Sequence, residues 1–121
     1  MNILATLRSW FPSRAEAAAR EERAAAILVG ATPIAEAQPR TRVRLAGVFR
    51  TVTLRPYGGV TAVEAELYDG SGSINLIWLG QHTIRGIEPG RRAVVSGVVM
   101  DKDGEYVIYD PHYELLPKPG D

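Results

Sequence analysis

The chain has no cysteine. That excludes disulfides and thiolate-bound metal centres, and it fits a reducing compartment, with the cytoplasm as the default. Long apolar runs are missing too: nothing approaches the roughly 18 consecutive apolar residues of a membrane span. The opening MNILATLRSWF lacks a basic stretch followed by a long apolar segment, so no secretory leader is expected. Excess charge of either sign is absent, since 14 Lys and Arg balance 14 Asp and Glu. A strongly basic nucleic-acid binder, with a pI above about 9, is therefore excluded. Histidine is scarce. His82 and His112 are the two present, and they show no metal-binding spacing.

Catalytic motifs are equally sparse. There is no G-x-S-x-G, no P-loop and no H-E-x-x-H. Asp101, Asp103 and Glu105 resemble the start of a calcium loop, but His112 stands where the bidentate acid is required. The expectation is a protein that is not an enzyme and has no cofactor and no metal.

What remains is an ordinary globular composition, 45% hydrophobic and 23% charged over 121 residues. One domain with an extension accounts for that length. The extension is residues 1–30. Ile3, Leu4, Leu7, Trp10 and Phe11 lie at helical spacing, and Pro12 ends that helix. Ser13-Arg14-Ala15-Glu16 reads as a capping box, opening an alanine-rich helix from about Arg14 to Leu28 that Gly30 stops. An alanine face is too small to form a core alone. Such a helix rests on the domain's own body, on a second copy of the chain or on a membrane. The polar face has too little lysine and arginine to favour a membrane. Residues 31–39 form a connector with Pro33 and Pro39.

Strands follow over residues 40–116, with a tail at 117–121. Arg42 to Arg50 alternates, and the parity slips near Thr51, which predicts a bulge. Arg55 to Gly59 is a turn by composition. Val63, Ala65 and Leu67 point inward in the second strand, and Glu64, Glu66 and Tyr68 outward. Asp69-Gly70-Ser71-Gly72 joins it to a third strand, Ser73 to Leu79, where Ile74, Leu76 and Trp78 share the inner face. Residues 80–89 leave room for one helical turn. The fourth strand is Arg91 to Met100, the Asp101–Gly104 turn follows, and a fifth strand runs from Glu105 to Leu115. Gly47 and Gly97 fall inside strands, as at sharp bends of a small closed barrel.

Together these elements predict a mainly β protein, a five-stranded Greek-key OB-fold barrel with an N-terminal helical extension. The runs RVRLAGVFR, LYDGSGSINLIWL, IEPGRRAVVSGVV and YDPHYELL resemble nucleic-acid-binding OB domains, in particular the wedge domain of RecG helicases. They are also similar to tRNA anticodon-binding and single-strand-binding OB domains. The resemblance implies an oligonucleotide ligand on the outer face of strands two and three. It implies no ATPase activity, because no helicase motor is present.

On that reading the candidate nucleic-acid-binding residues are Arg42, Arg44, Arg50, Arg55, Tyr57, Tyr68, Asn75 and Lys102. Tyrosines supply stacking platforms for bases, and cations meet phosphates. From Glu36 to Val60 there are five arginines and one acid, a basic strip on a neutral body. A purely structural role competes with this: Arg42, Arg44 and Arg50 neutralising Glu64 and Glu66 across adjacent strands. Outward Ile77 and Leu79 suggest instead cover by the N-terminal helix or an apolar interface. Two functions stay open: weak binding of single-stranded DNA or RNA, or association with a protein partner or a second copy through the N-terminal helix.

Overall fold

The computed structural model describes residues 13–118, so the helix expected over residues 3–11 lies outside the described part. Helix α1 spans Arg14–Leu28. Ser13 accepts a hydrogen bond from the Glu16 amide at 3.1 Å, which opens the helix. Gly30, at φ 71°, takes the left-handed turn after it. Of the three possible supports, the barrel itself holds α1. Ala26 packs on Ala46 and Val94 of the barrel wall, and Arg92 grips Glu22 with two bonds of 3.3 and 2.6 Å. Small side chains allow close approach: a Cβ on Gly70 would overlap the Ala19 carbonyl of the helix.

The strands are β1 (Arg42–Tyr57), β2 (Val60–Tyr68), β3 (Ser73–Leu79), β4 (Arg92–Lys102), β5 (Glu105–Tyr109) and β6 (His112–Leu115). Sheet order is β1-β2-β3-β5-β4-β6, and a β1–β4 pairing closes five of these strands into a ring. Only β3 and β5 run parallel. This is the expected OB-fold barrel with its helical extension.

Two bulges shape it. The β1–β2 register shifts between Phe49 and Thr51, leaving Arg50 as the extra residue. The expected single fifth strand is instead β5 and β6. Both lie along β4, but Val99 faces Ile108 whereas Ser96 faces His112, a slip of one residue. Asp110 absorbs the slip with φ 48°. Its carboxylate accepts from the Leu79 amide at 3.0 Å, and its own amide donates to Ile77 at 2.7 Å. Gly47 and Gly97 mark close approaches: a Cβ on Gly47 would overlap the Tyr68 carbonyl, and one on Gly97 would lie 2.6 Å from Ile108.

Other boundaries also move. β1 and β2 run into the expected turn, leaving Gly58 and Gly59, both at positive φ, as a two-residue hairpin loop. Residues 80–91 contain turns and no helix, because Gly80, Gly86 and Gly90 all adopt positive φ. Ile34 and Ala37, in the connector, are buried in the barrel core with Leu45, Phe49, Leu67, Leu76 and Ile108.

The Asp-Gly-Ser-Gly turn holds Ile34 in place. Asp69 is 1% exposed. Its carboxylate accepts from the Ile34 amide at 2.8 Å, from the Ser71 amide and hydroxyl at 2.8 and 2.7 Å, and from the Gly72 amide at 3.2 Å. One side chain thus closes the β2–β3 turn and ties the connector to it.

Candidate nucleic-acid interface

Directly paired residues on neighbouring strands point to the same side of a sheet. The register therefore draws the outer face row by row. Thr51, Glu66, Asn75, Val107 and Met100 form one row. Thr53, Glu64, Ile77 and Tyr109 form the next, and Arg55, Ala62 and Leu79 a third. Tyr57 stands at the tip of the β1–β2 hairpin, and Lys102 at the tip of the β4–β5 hairpin.

The two tips meet. The Lys102 ammonium lies 4.2 Å from the Tyr57 ring centroid. The Tyr57 ring sits edge-on to Tyr109, centroids 6.2 Å apart at 71°, and their hydroxyls share a hydrogen bond of 3.2 Å. Beneath them Ala62, Ile77 and Val107 form a small buried cluster. Ile77 is thus not the bare surface residue its outward parity suggested: Tyr57 and Tyr109 pack over it. α1 packs toward the Tyr68 end of the sheet, where Ala19 abuts Gly70 and Glu22 holds Arg92, and the helix expected over residues 3–11 lies outside the described residues.

The electrostatics follow from these contacts. The neighbouring Lys102 ammonium, and after it the Tyr109 hydroxyl, pull the Tyr57 phenol below the usual tyrosine value. Tyr109 is pushed up, first by its hydrogen bond to Tyr57 and then by burial. Lys102 is held protonated above the ordinary lysine value, chiefly by Tyr57.

The arginines do not form one strip. Arg55 lies on this face and pairs with Glu64 at 3.4 Å. Arg50, the bulge residue, stacks its guanidinium 3.4 Å from the Tyr68 ring centroid. Arg42 and Arg44 lie elsewhere, because the first half of β1 pairs with β4 and not with β2. Arg42 faces Val98, and Arg44 faces Ser96. The expected neutralisation of Glu64 and Glu66 by Arg42, Arg44 and Arg50 does not occur among the described residues; Arg55 takes Glu64 instead. Asn75 is half-buried opposite Glu66.

Trp78 points inward as its parity predicts and donates from Nε1 to the Pro111 carbonyl at 3.2 Å. Tyr113 packs edge-on against it, centroids 6.0 Å apart, so Tyr113 belongs to the wall. Tyr109 does not: it lies opposite Ile77 and packs over it beside Tyr57. No group of three metal-ligating side chains occurs among the described residues.

In chemical terms the face offers two tyrosine rings, each with a cation over it, at opposite ends of β2. A base stacking on a ring is worth about 1–3 kcal/mol. An exposed cation–π contact is worth about 0.5–1 kcal/mol. Stacking can therefore displace Lys102 from Tyr57, and the freed ammonium is then available to a phosphate.

No family model matches the chain, and no curated protein matches it. Among solved structures the chain is similar to RecG bound to a three-way DNA junction, with a TM-score of 0.54 and 25% identity. The match covers 68% of this chain and 12% of RecG, so the chain spans a small part of that protein. The barrel is a RecG-like OB-type fold.

Proposed function

We propose that this chain is a non-catalytic OB module that binds single-stranded DNA or RNA weakly along the outer face of β2 and β3. The observation that carries the proposal is the junction of the two hairpin tips, where Tyr57, Tyr109 and Lys102 meet over Ile77. OB folds bind oligonucleotides on this face between these two loops. The RecG structure was solved with a DNA junction, which supports nucleic acid as the ligand class. Tyr57 and Tyr68 stack bases, Lys102 and Arg50 meet phosphates, Arg55 shares its charge with Glu64, and Asn75 hydrogen-bonds a base edge. Arg42 and Arg44 reach only a strand that wraps round to the β4 side.

With two or three effective phosphate contacts, raising salt from about 50 to about 200 mM weakens binding about sevenfold to twentyfold. Fluorescence-anisotropy titration of labelled single-stranded oligomers checks this, with Tyr57→Ala expected to cost about 1–3 kcal/mol. Absence of binding at tens of micromolar protein and low salt would sink the reading.

A second reading rests on Ile27 and Leu28, which α1 leaves 65% and 86% exposed. Exposed apolar pairs of this kind suit a protein partner or a second copy. A concentration-dependent sedimentation coefficient that Leu28→Glu abolishes would favour it.

A further inference from the structure

A second candidate site borders the Tyr68 end of the β2–β3 face, since Arg92, Val48 and Tyr68 share one row of the sheet. A cleft of about 320 Å³ is lined by Glu22, Val48, Arg91, Arg92, Leu116 and Lys118. Its walls come from α1, the start of β4 and the segment after β6. Its size is at the lower end of small-ligand sites, about 300–1,000 Å³. Three cations line it against one carboxylate, Glu22. Glu88 stands beside Lys118 at 3.7 Å, and Glu21 also acts on Arg92, so three cations meet three acids and it is Arg91, rather than an excess of charge, that marks the cleft.

The charges are not equally committed. Arg92 is bound to Glu22 through two bonds, and Glu22 strengthens its hold on its proton. Arg91 is different. Its Nε is buried and has no hydrogen-bond partner among the described residues. Such a donor costs about 1–3 kcal/mol unless an acceptor is supplied.

The backbone that carries it is fixed. The Gly90 amide donates to the Phe49 carbonyl at 2.7 Å, the Phe49 amide to the Arg91 carbonyl at 3.0 Å, and the Arg91 amide to Glu88 at 3.1 Å. The Leu116 amide donates to the Arg92 carbonyl at 2.9 Å and fixes the opposite wall. An arginine whose backbone is fixed and whose Nε donor is unused suits a compact acceptor-rich anion.

We infer that this cleft is a phosphate site, with Arg91 as its principal donor and Glu22 as a competitor for the neighbouring Arg92. The phosphate can be a free or terminal group, or a phosphodiester of a bound strand. The inference does not depend on the β2–β3 face being functional.

The test is a titration of the whole chain with inorganic phosphate at constant ionic strength, following the Arg91 Nε–H and the Gly90–Arg92 amides by NMR. A parallel titration uses a single-stranded oligomer without terminal phosphates. Saturable shifts at these residues are expected. If both ligands produce them, a strand phosphate is the source; if inorganic phosphate alone does, a free or terminal group is. Arg91→Met is expected to weaken phosphate binding at least tenfold. Glu22→Gln is expected to tighten it about two- to fivefold, because it frees Arg92. A merely structural role would make both variants weaker or leave both unchanged. Absence of saturable shifts with either ligand, or loss of affinity in Glu22→Gln, would overturn the inference.

Discussion

Asp69→Ala should unfold a large part of what holds the connector to the barrel. The carboxylate accepts four hydrogen bonds, three of them from backbone amides. Ile34 is 6% exposed, so its amide cannot turn to water. Stranding that donor costs about 1–3 kcal/mol. The Ser71 and Gly72 amides are half-buried and regain water in part. Losing a charged acceptor there adds about 1 kcal/mol each. The expected total is about 3–5 kcal/mol, a large fraction of the about 5–15 kcal/mol of a typical domain. Asp69→Asn keeps one acceptor oxygen but turns its NH₂ toward a backbone donor, so about 2 kcal/mol is expected. Urea unfolding measures both as a lower midpoint at unchanged slope. An Asp69→Ala midpoint within about 0.5 kcal/mol of the parent would refute the anchoring role.

Gly47→Ala places a Cβ on the Tyr68 carbonyl, which is backbone and cannot swing away. A loss of more than about 2 kcal/mol in the same unfolding assay is expected. Arg92→Ala removes the grip on Glu22, but the arginine side chain is 42% exposed, so solvent screening limits the cost to about 1 kcal/mol. Alkaline titration of phenolate absorbance should show Tyr57 ionising below the ordinary tyrosine value and Tyr109 above it. Lys102→Met should return Tyr57 upward. The lowered Tyr57 value contributes stability above the unfolded value of about 10, lost as pH falls through the folded value. Tyr109, raised, contributes stability below that unfolded value, lost as pH rises through its folded one. At neutral pH both are protonated, and stability should not change with pH through either.

Local pattern carried much of the barrel. Val63, Ala65 and Leu67, and Ile74, Leu76 and Trp78, declared their inner faces by alternation, and the slip at Thr51 marked the Arg50 bulge. The Ser13 cap was equally local. Facts about pairing were not. That Arg42 and Arg44 face β4 depends on where along β1 the partner changes. That Tyr109 covers Ile77 depends on the parallel β3–β5 contact, between segments far apart in sequence. The bulge at Asp110 was hidden because a non-glycine residue takes its positive φ, held by bonds to β3. Ile34 and Ala37 looked like linker because no periodicity reaches three residues of 3₁₀ turn.

Whether single-stranded nucleic acid lies across β2 and β3 between the hairpin tips is read by backbone amide NMR of the chain titrated with a short single-stranded oligomer. Saturable shifts centred on Tyr57–Val60, Asn75–Leu79 and Lys102–Glu105 are expected, with Lys102→Met reducing the affinity. Shifts confined to α1, or no shifts at millimolar oligomer, would contradict that placement of the strand.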